Sequence, residues 1–316
     1  MNTYDADVVI LALDRPAETE AAIASALGQR GLRHHVVVVD QGSHPDTLAR
    51  LARAVTGKDA TLVSLGRNVG VAAGRNRGAA TGRGRMIVGL DNDAVFATPD
   101  TLAAAVAALD ADPTLAAIGF RILVEHTGED DLLSWGYPSA LLARAGDTFD
   151  AATFVGAGHA LRRTAWEQAG GYDEALFFCW EELDFCLRAI AQGWRVRYRG
   201  DIEVRHKVSA ERRLDWADGR WFQFVRNRLY IARKQGQSWP ALLPRAGAYL
   251  LKGARNGLAA ETLRAIGAAA RMGAGARGAP TSAEQRAYLD RHDRAHRGTA
   301  LSRLRTEVLA RLPGSA

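Results

Sequence analysis

The chain has 316 residues, 47% of them hydrophobic and 24% charged, a balance that excludes an intrinsically disordered protein and a disulfide-built scaffold. Its formal net charge of +6 is unevenly spread, with 18 Lys/Arg against 6 Asp/Glu in residues 218–316 and 23 against 29 in residues 1–217. An acidic body with a basic tail predicts an anionic partner for the tail, either a membrane surface or nucleic acid.

In chain order, short apolar runs alternate with helical patterns. Asp7 to Leu13 reads as a strand, and Pro16 suits the first position of a helix continuing to Leu27. His34 to Asp40 holds four consecutive valines, the mark of a strand buried on both faces. Asp46 to Val55 reads as a helix, Thr61 to Leu65 as a strand, Val71 to Ala80 as a helix and Arg85 to Leu90 as a strand ending on Asp91-Asn92-Asp93. Thr98 to Leu109 is the next helix. Such a β-α-β series predicts an α/β fold with a doubly wound, mostly parallel sheet that binds ligands at the carboxyl ends of its strands.

The rhythm then changes. Phe154 to Arg163 reads as a strand, followed by a short helix and the turn Gly170-Gly171-Tyr172. Glu181 to Gln192 is a helix stopped by Gly193, and Trp194 to Tyr198 and Ile202 to His206 read as two short strands. Beyond Asp215 the chain is mostly helical, with a glycine-rich break at Met272 to Ala279. The expected division is a body over residues 1–215 and a basic helical region over 216–316, which either packs on the body or meets lipid.

No stretch reaches the roughly 20 apolar residues that cross a bilayer. The most apolar tail segment, Ala241 to Leu251, is interrupted by Pro244 and Arg245, and the acidic Met1 to Asp7 does not read as a secretory signal. Only Cys179 and Cys186 occur. On a helix they stand about 10 Å apart, too far for a disulfide, so reduced cysteines in a cytoplasmic protein are expected.

Polar groups fall where the strands should end. Asp14 follows the first, Asp40 closes the second, and Asp91 and Asp93 follow the fourth; between them runs the glycine-rich loop Asn68 to Asn76. Paired carboxylates at a strand end can hold Mg2+ or Mn2+, which prefer oxygen ligands and share them with substrate phosphates. By themselves, Asp93 could equally cap a turn and Asp91 be solvated. Further on, Glu181, Glu182 and Asp184 open a helix beside Phe177, Phe178 and Trp180. The helix dipole favours acids there, while burial and like-charge crowding would raise one carboxyl to the range a general base needs. They could instead only pair with Arg188 or Arg195.

Together these segments resemble the family-two glycosyltransferases, nucleotide-sugar enzymes of the GT-A fold. The similar stretches are Val8 to Pro16, Val36 to Ser43, Asn68 to Ala79, Met86 to Asp93, Gly156 to Arg163, Gly170 to Asp173 and Phe177 to His206, in the family's order over about two-thirds of the chain. The pattern looks most like the bacterial rhamnosyltransferase-like branch that builds surface polysaccharide. The resemblance implies that Asp40 binds the nucleotide base or ribose, that Asp91 faces the ribose and diphosphate, and that Asp93 faces a divalent metal, Mn2+ or Mg2+. It also implies that His206 completes the metal shell. Leu13, Asp14, Asn68, Gly70, Arg75 and Asn92 are expected around the nucleotide sugar, and His159 and Trp180 near the acceptor. Glu182 takes the place of the usual Asp as catalytic base, one methylene longer, which keeps Glu181 as an alternative.

The resemblance thus implies an inverting transferase that moves a sugar from a UDP-, dTDP- or GDP-linked donor to a glycan or lipid-linked acceptor. Two other classes remain: a glycosyltransferase-like protein that only binds sugar, and a nucleic-acid-binding protein argued from a pI of 9.6. The second does not explain acids gathered at strand ends, so no nucleic acid is expected. A nicotinamide dehydrogenase would need glycines after the first strand, where Ala12-Leu13-Asp14-Arg15-Pro16 stands.

Overall fold

A computed structural model describes residues 4–207, 216, 219–273 and 280–312. The first half alternates as expected: β1 (Ala6–Ala12), α1 (Pro16–Leu27), β2 (His34–Asp40), α2 (Pro45–Val55), β3 (Ala60–Ser64), α3 (Val71–Thr81), β4 (Met86–Leu90), β5 (Ala94–Phe96) and α4 (Thr101–Ala111). Then follow β6 (Leu115–Val124), β7 (Thr148–Asp150), β8 (Gly158–Arg162), α5 (Arg163–Ala169), α6 (Glu181–Ala191) and β9 (Arg195–His206). The basic region contributes α7 (Arg220–Lys234), α8 (Trp239–Arg255), α9 (Ala259–Gly273) and α10 (Ala283–His292).

The strands form one nine-stranded sheet in the order β3-β2-β1-β4-β8-β6-β9-β5, with β7 also on β9. β3, β2, β1 and β4 are mutually parallel, the expected doubly wound half. β8 is antiparallel to both β4 and β6, so β6 runs with β4, and β9 is parallel to β6. Helices cover both faces. Alternation along β1 and β2 divides the apolar side chains with the period of a strand. Val8, Ile10, Val36 and Val38 face the core under α1, α2 and α4, while Val9, Val37 and Val39 face the core under α3, α5 and α6.

Four departures from the sequence reading have physical causes. β5 and β7 have three residues each, too few to show a period. β6 is a nearly unbroken apolar run buried on both faces, in which alternation is invisible. The strand expected from Phe154 starts only at Gly158, because the preceding segment is a loop over Phe185. The two expected strands at Trp194 to Tyr198 and Ile202 to His206 are one strand, β9, whose register against β6 shifts between Phe120↔Arg199 and Arg121↔Glu203. A bulge there absorbs Gly200, Asp201 and Ile202 and lets pairing continue.

The basic region has its own core, with Trp221, Val225, Leu229, Leu242, Ala265 and Ala269 buried together. α7 also packs on the body, where Tyr230 and Lys234 reach Asp173 and Lys234 reaches Asp184 at 2.8 Å. α10 docks too: Tyr288 Oη bonds Ala151 O and the backbone of Val196. The boundary expected at Asp215, and most of the break at Met272 to Ala279, lie outside the described residues; Met272 and Gly273 complete α9. Both cysteines are free. No helix among the described residues is long and apolar enough to cross a membrane.

Candidate active site

Topology brings the site together. The carboxyl ends of β1, β2 and β4 lie on one edge because these strands are parallel, and β9, running the same way, delivers His206 to that edge. Directly after the Asp91–Asp93 turn, β5 folds back along β9 with Ala94 opposite His206, and Lys207 N donates to Asp93 O at 2.7 Å. Residues 113 apart in sequence thereby meet: Asp93 Oδ1 is 3.0 Å from His206 Nε2. Asp91, Asp93 and His206 each offer one ligand atom, all within 4.8 Å of one another.

A second carboxylate, Asp131, lies on the far side of the imidazole, with Oδ2 3.1 Å from Nδ1. Burial would lower the His206 pKa, but Asp131 and Asp93 raise it to about 9. Burial would likewise raise Asp93, yet His206 and Arg15, whose guanidinium is 2.8 Å away, hold it down at about 2. The buried Arg75 donates to Asp91 at 2.9 Å and to the strand carbonyls of Val9 and Leu90. One guanidinium therefore ties β1, β4 and the Asp91 carboxylate together.

The other loops at this edge are cross-linked. Asp14 N donates to Ser43 Oγ, and Asp14 Oδ1 accepts from His44 N. Asp40 is fully buried, and its carboxylate accepts from Gly42 N, Ser43 N and Ser64 Oγ, so it shapes the turn after β2. Asn68 Oδ1 caps Gly70 N, Gln41 Oε1 accepts from Val69 N, and Asn92 Nδ2 reaches Thr19 Oγ1. Leu13 is exposed. Gly70, at φ 88°, touches the backbone and ring of Phe177, where a Cβ would collide.

The acidic start of α6 enters the same space. Phe177, Cys179 and Trp180 all have left-handed φ, 60°, 70° and 73°, conformations that side chains resist unless the surroundings impose them. Glu181 is buried, its Oε2 has no hydrogen-bond partner, and burial followed by the neighbouring Glu182 raises its carboxyl well above the ordinary range. Glu182 is partly exposed and lies against Gly156, whose missing side chain leaves room for Oε1. Burial, reinforced by the charge of Asp91, raises Glu182 to about 7. Burial thus favours the neutral form of Glu181, while Glu182, near neutrality, is poised to accept a proton.

The two acceptor candidates are engaged by other side chains of the protein. His159 is 2% exposed on β8, its ring 4.4 Å from that of Phe154 and its Nε2 3.3 Å from Tyr172 Oη; burial lowers its pKa to about 3, leaving it neutral. Trp180 directly precedes the two glutamates, but its indole N–H donates to Phe224 O and the Arg228 guanidinium covers its ring at 4.6 Å. Asp131 was absent from the sequence reading. It is one of three consecutive-region acids, with Glu129 and Asp130, and nothing local distinguishes it.

A sequence profile described as "Glycosyl transferase family 2" matches residues 7–170. The O-antigen biosynthesis protein RfbC of Myxococcus xanthus is 26% identical over 233 residues, 67% of this chain but 18% of that longer protein. Among solved structures, the mannosyltransferase PcManGT from Pyrobaculum calidifontis, in complex with GDP-Man and Mn2+, aligns with a TM-score of 0.58 at 22% identity over 96% of this chain and 84% of that one. GalNAc-T7 with UDP, GalNAc and Mn2+ aligns with a TM-score of 0.61 at 15% identity over 92% of this chain and 55% of that one. S. aureus TarS aligns with a TM-score of 0.55 at 15% identity, covering 83% and 71%. These likenesses establish the GT-A architecture.

Proposed function

The chain belongs to glycosyl transferase family 2, and on that premise we propose that it transfers a sugar from a nucleotide-sugar donor to a hydroxyl of a glycan or lipid-linked acceptor, inverting the anomeric carbon. The observation that carries this reading is the meeting of Asp91, Asp93 and His206 at the sheet edge, with Glu182 close enough to feel the charge of Asp91. A base near neutrality suits direct attack by the acceptor hydroxyl in one displacement, hence inversion.

The donor set of two carboxylates and an imidazole fits Mn2+ or Mg2+. Asp131 supports the fit: a carboxylate accepting the Nδ1 proton leaves the Nε2 lone pair of His206 aimed at the ion site. Asp91, Asp93 and His206 would hold the ion, which supplies Lewis acidity toward the leaving diphosphate. The chain's own residues do the rest. Arg75 fixes Asp91, Arg15 adds positive charge beside Asp93, and deprotonated Glu182 takes the acceptor's hydroxyl proton. Leu13, Asp14, Asn68, Gly70 and Asn92 line or brace the donor side, and Asp40 acts through the turn it shapes.

The basic region over 216–316, which we treat as a second unit beside the body over 1–215, supplies a surface for an anionic membrane at the cytoplasmic face. Leu243, Gly247 and Leu251 of α8 form an exposed stripe at helical spacing, Leu263 of α9 is exposed as well, and Arg255 and Arg264 accompany them. A lipid-linked acceptor would be met there.

The deciding experiment is a panel of UDP-, GDP- and dTDP-sugars with Mn2+ or Mg2+, scored by thermal shift and by the anomeric configuration of the product. Stabilisation by one nucleotide sugar in a metal-dependent manner supports the reading. No response to any donor, or a product of retained configuration, refutes it.

A further inference from the structure

We propose that Asn227, from the helical region beyond the sheet, is a positioning residue of this site: its amide clamps the left-handed turn that aims Glu182 into the crevice. The inference rests on the reading of Glu182 as base and adds a requirement to it.

Asn227 is completely buried in α7. Its Nδ2 lies 2.8 Å from each of three carbonyl oxygens, those of Leu176, Phe178 and Cys179. Its Oδ1 accepts from Arg226 Nε at 2.9 Å, and Arg226 donates onward to Ala175 O and Leu176 O. Four consecutive-region carbonyls, from Ala175 to Cys179, are thus gathered by two neighbouring side chains of one helix. An asparagine inside a helix is a weak helix former, so its place in α7 is not explained by the helix itself.

The gathered segment is the one with the unusual backbone. Phe177, Cys179 and Trp180 are all left-handed, and such conformations persist where surroundings over-determine them. Trp180 is the residue before Glu181 at the start of α6, so any relaxation of the turn rotates that helix start and moves both glutamates. The body reaches the turn near its middle, where Val71 N and Ala72 N donate to Phe177 O at 2.6 and 3.4 Å. α7 holds it on both sides of that point, and Trp180 Nε1 adds a bond to Phe224 O. Only a primary amide offers two N–H groups in a fork to carbonyls and an acceptor to Arg226 at once. The basic region therefore builds part of the active site.

The test is Asn227→Ser, compared with Val225→Ala, which weakens the same helix in the tail core without touching the turn. Expected for Asn227→Ser is a kcat about 100-fold lower with donor affinity by calorimetry unchanged, since a displacement of about 1 Å at a reacting group costs that much. In the same variant Cys179, which sits in the turn, reacts faster with a maleimide, while the buried Cys186 stays slow. Val225→Ala should lower the melting temperature and leave kcat and Cys179 labelling at wild-type values. Should Asn227→Ser not fold, Asn227→Gln, which carries the amide one methylene too far, is expected to show the same split. A folded Asn227→Ser with wild-type kcat, equal losses in Val225→Ala, or failure of both Asn227 variants to fold would each overturn the positioning role. Full activity in Glu182→Gln, or no transfer by the wild type, would instead remove the base assignment; Cys179 labelling would still report on the clamp.

Discussion

His206 Nδ1 lies 3.1 Å from Asp131 Oδ2, on the side of the ring opposite Asp93. A carboxylate in that position fixes the tautomer and orientation of an imidazole ligand, and losing such a partner typically weakens metal binding about 10- to 100-fold. Asp131→Asn is accordingly expected to weaken Mn2+ binding by that factor in calorimetry, with little change in nucleotide affinity without metal. Asp93→Ala should abolish metal-dependent turnover, and unchanged rates in chelator would refute the metal role.

Glu182 and Glu181 should separate cleanly by mutation. Glu182→Gln is expected to abolish transfer with donor binding retained. Glu181, whose burial favours the neutral acid, should tolerate Gln with most of its activity, because the amide keeps the size of a neutral acid. A dead Glu181→Gln beside an active Glu182→Gln would reverse the assignment.

The pH profile follows from the same pair. A general base works only when deprotonated, and burial puts Glu182 at about 7. The log of kcat/KM should therefore climb with pH below about 7 and level above it. Stability has the opposite sign. The folded state holds this proton more tightly than the unfolded chain, so the protonated form's advantage is complete below the ordinary glutamate range and is lost as pH rises through 7. Melting temperature in Glu182→Gln should lack that component of the decline.

Gly156 offers a test of geometry without loss of folding. A Cβ there would meet the Glu182 carboxyl group, Oε1 first, the end of a flexible side chain, so the fold can absorb it while the carboxylate must turn aside. Gly156→Ala should keep its melting temperature within a few degrees and lose about 100-fold in kcat. Normal turnover would show that Glu182 works from another rotamer.

For the lipid-facing stripe, co-sedimentation with phosphatidylglycerol vesicles should exceed that with phosphatidylcholine vesicles and fall with added salt. Replacing Leu243 and Leu251 by Ala should reduce binding with no change in the fold. Equal binding to neutral vesicles would point away from the cationic contribution, and none to either would remove the surface.

Much of the architecture was legible because it is written in local patterns. Four valines in β2, Pro16 at the head of α1 and the β-rich apolar run of β1 declare their elements without reference to the rest of the chain. Asp91 and Asp93 are visible at a strand end for the same reason. β5 was illegible because three residues carry no period, yet it is this strand that seats Asp93 against His206.

What the sequence by itself determined is most of the strands and helices of the first half, the acids at their ends and the family these belong to. What only the tertiary structure decided is which distant groups complete them: Asp131 behind His206, Arg75 under Asp91, Gly156 beside Glu182 and Asn227 beneath the turn before it. The reason is physical. Propensity and periodicity act over a few residues, whereas a proton's affinity and a carboxylate's aim depend on what lies within a few ångströms, and only the folded sheet sets those neighbours.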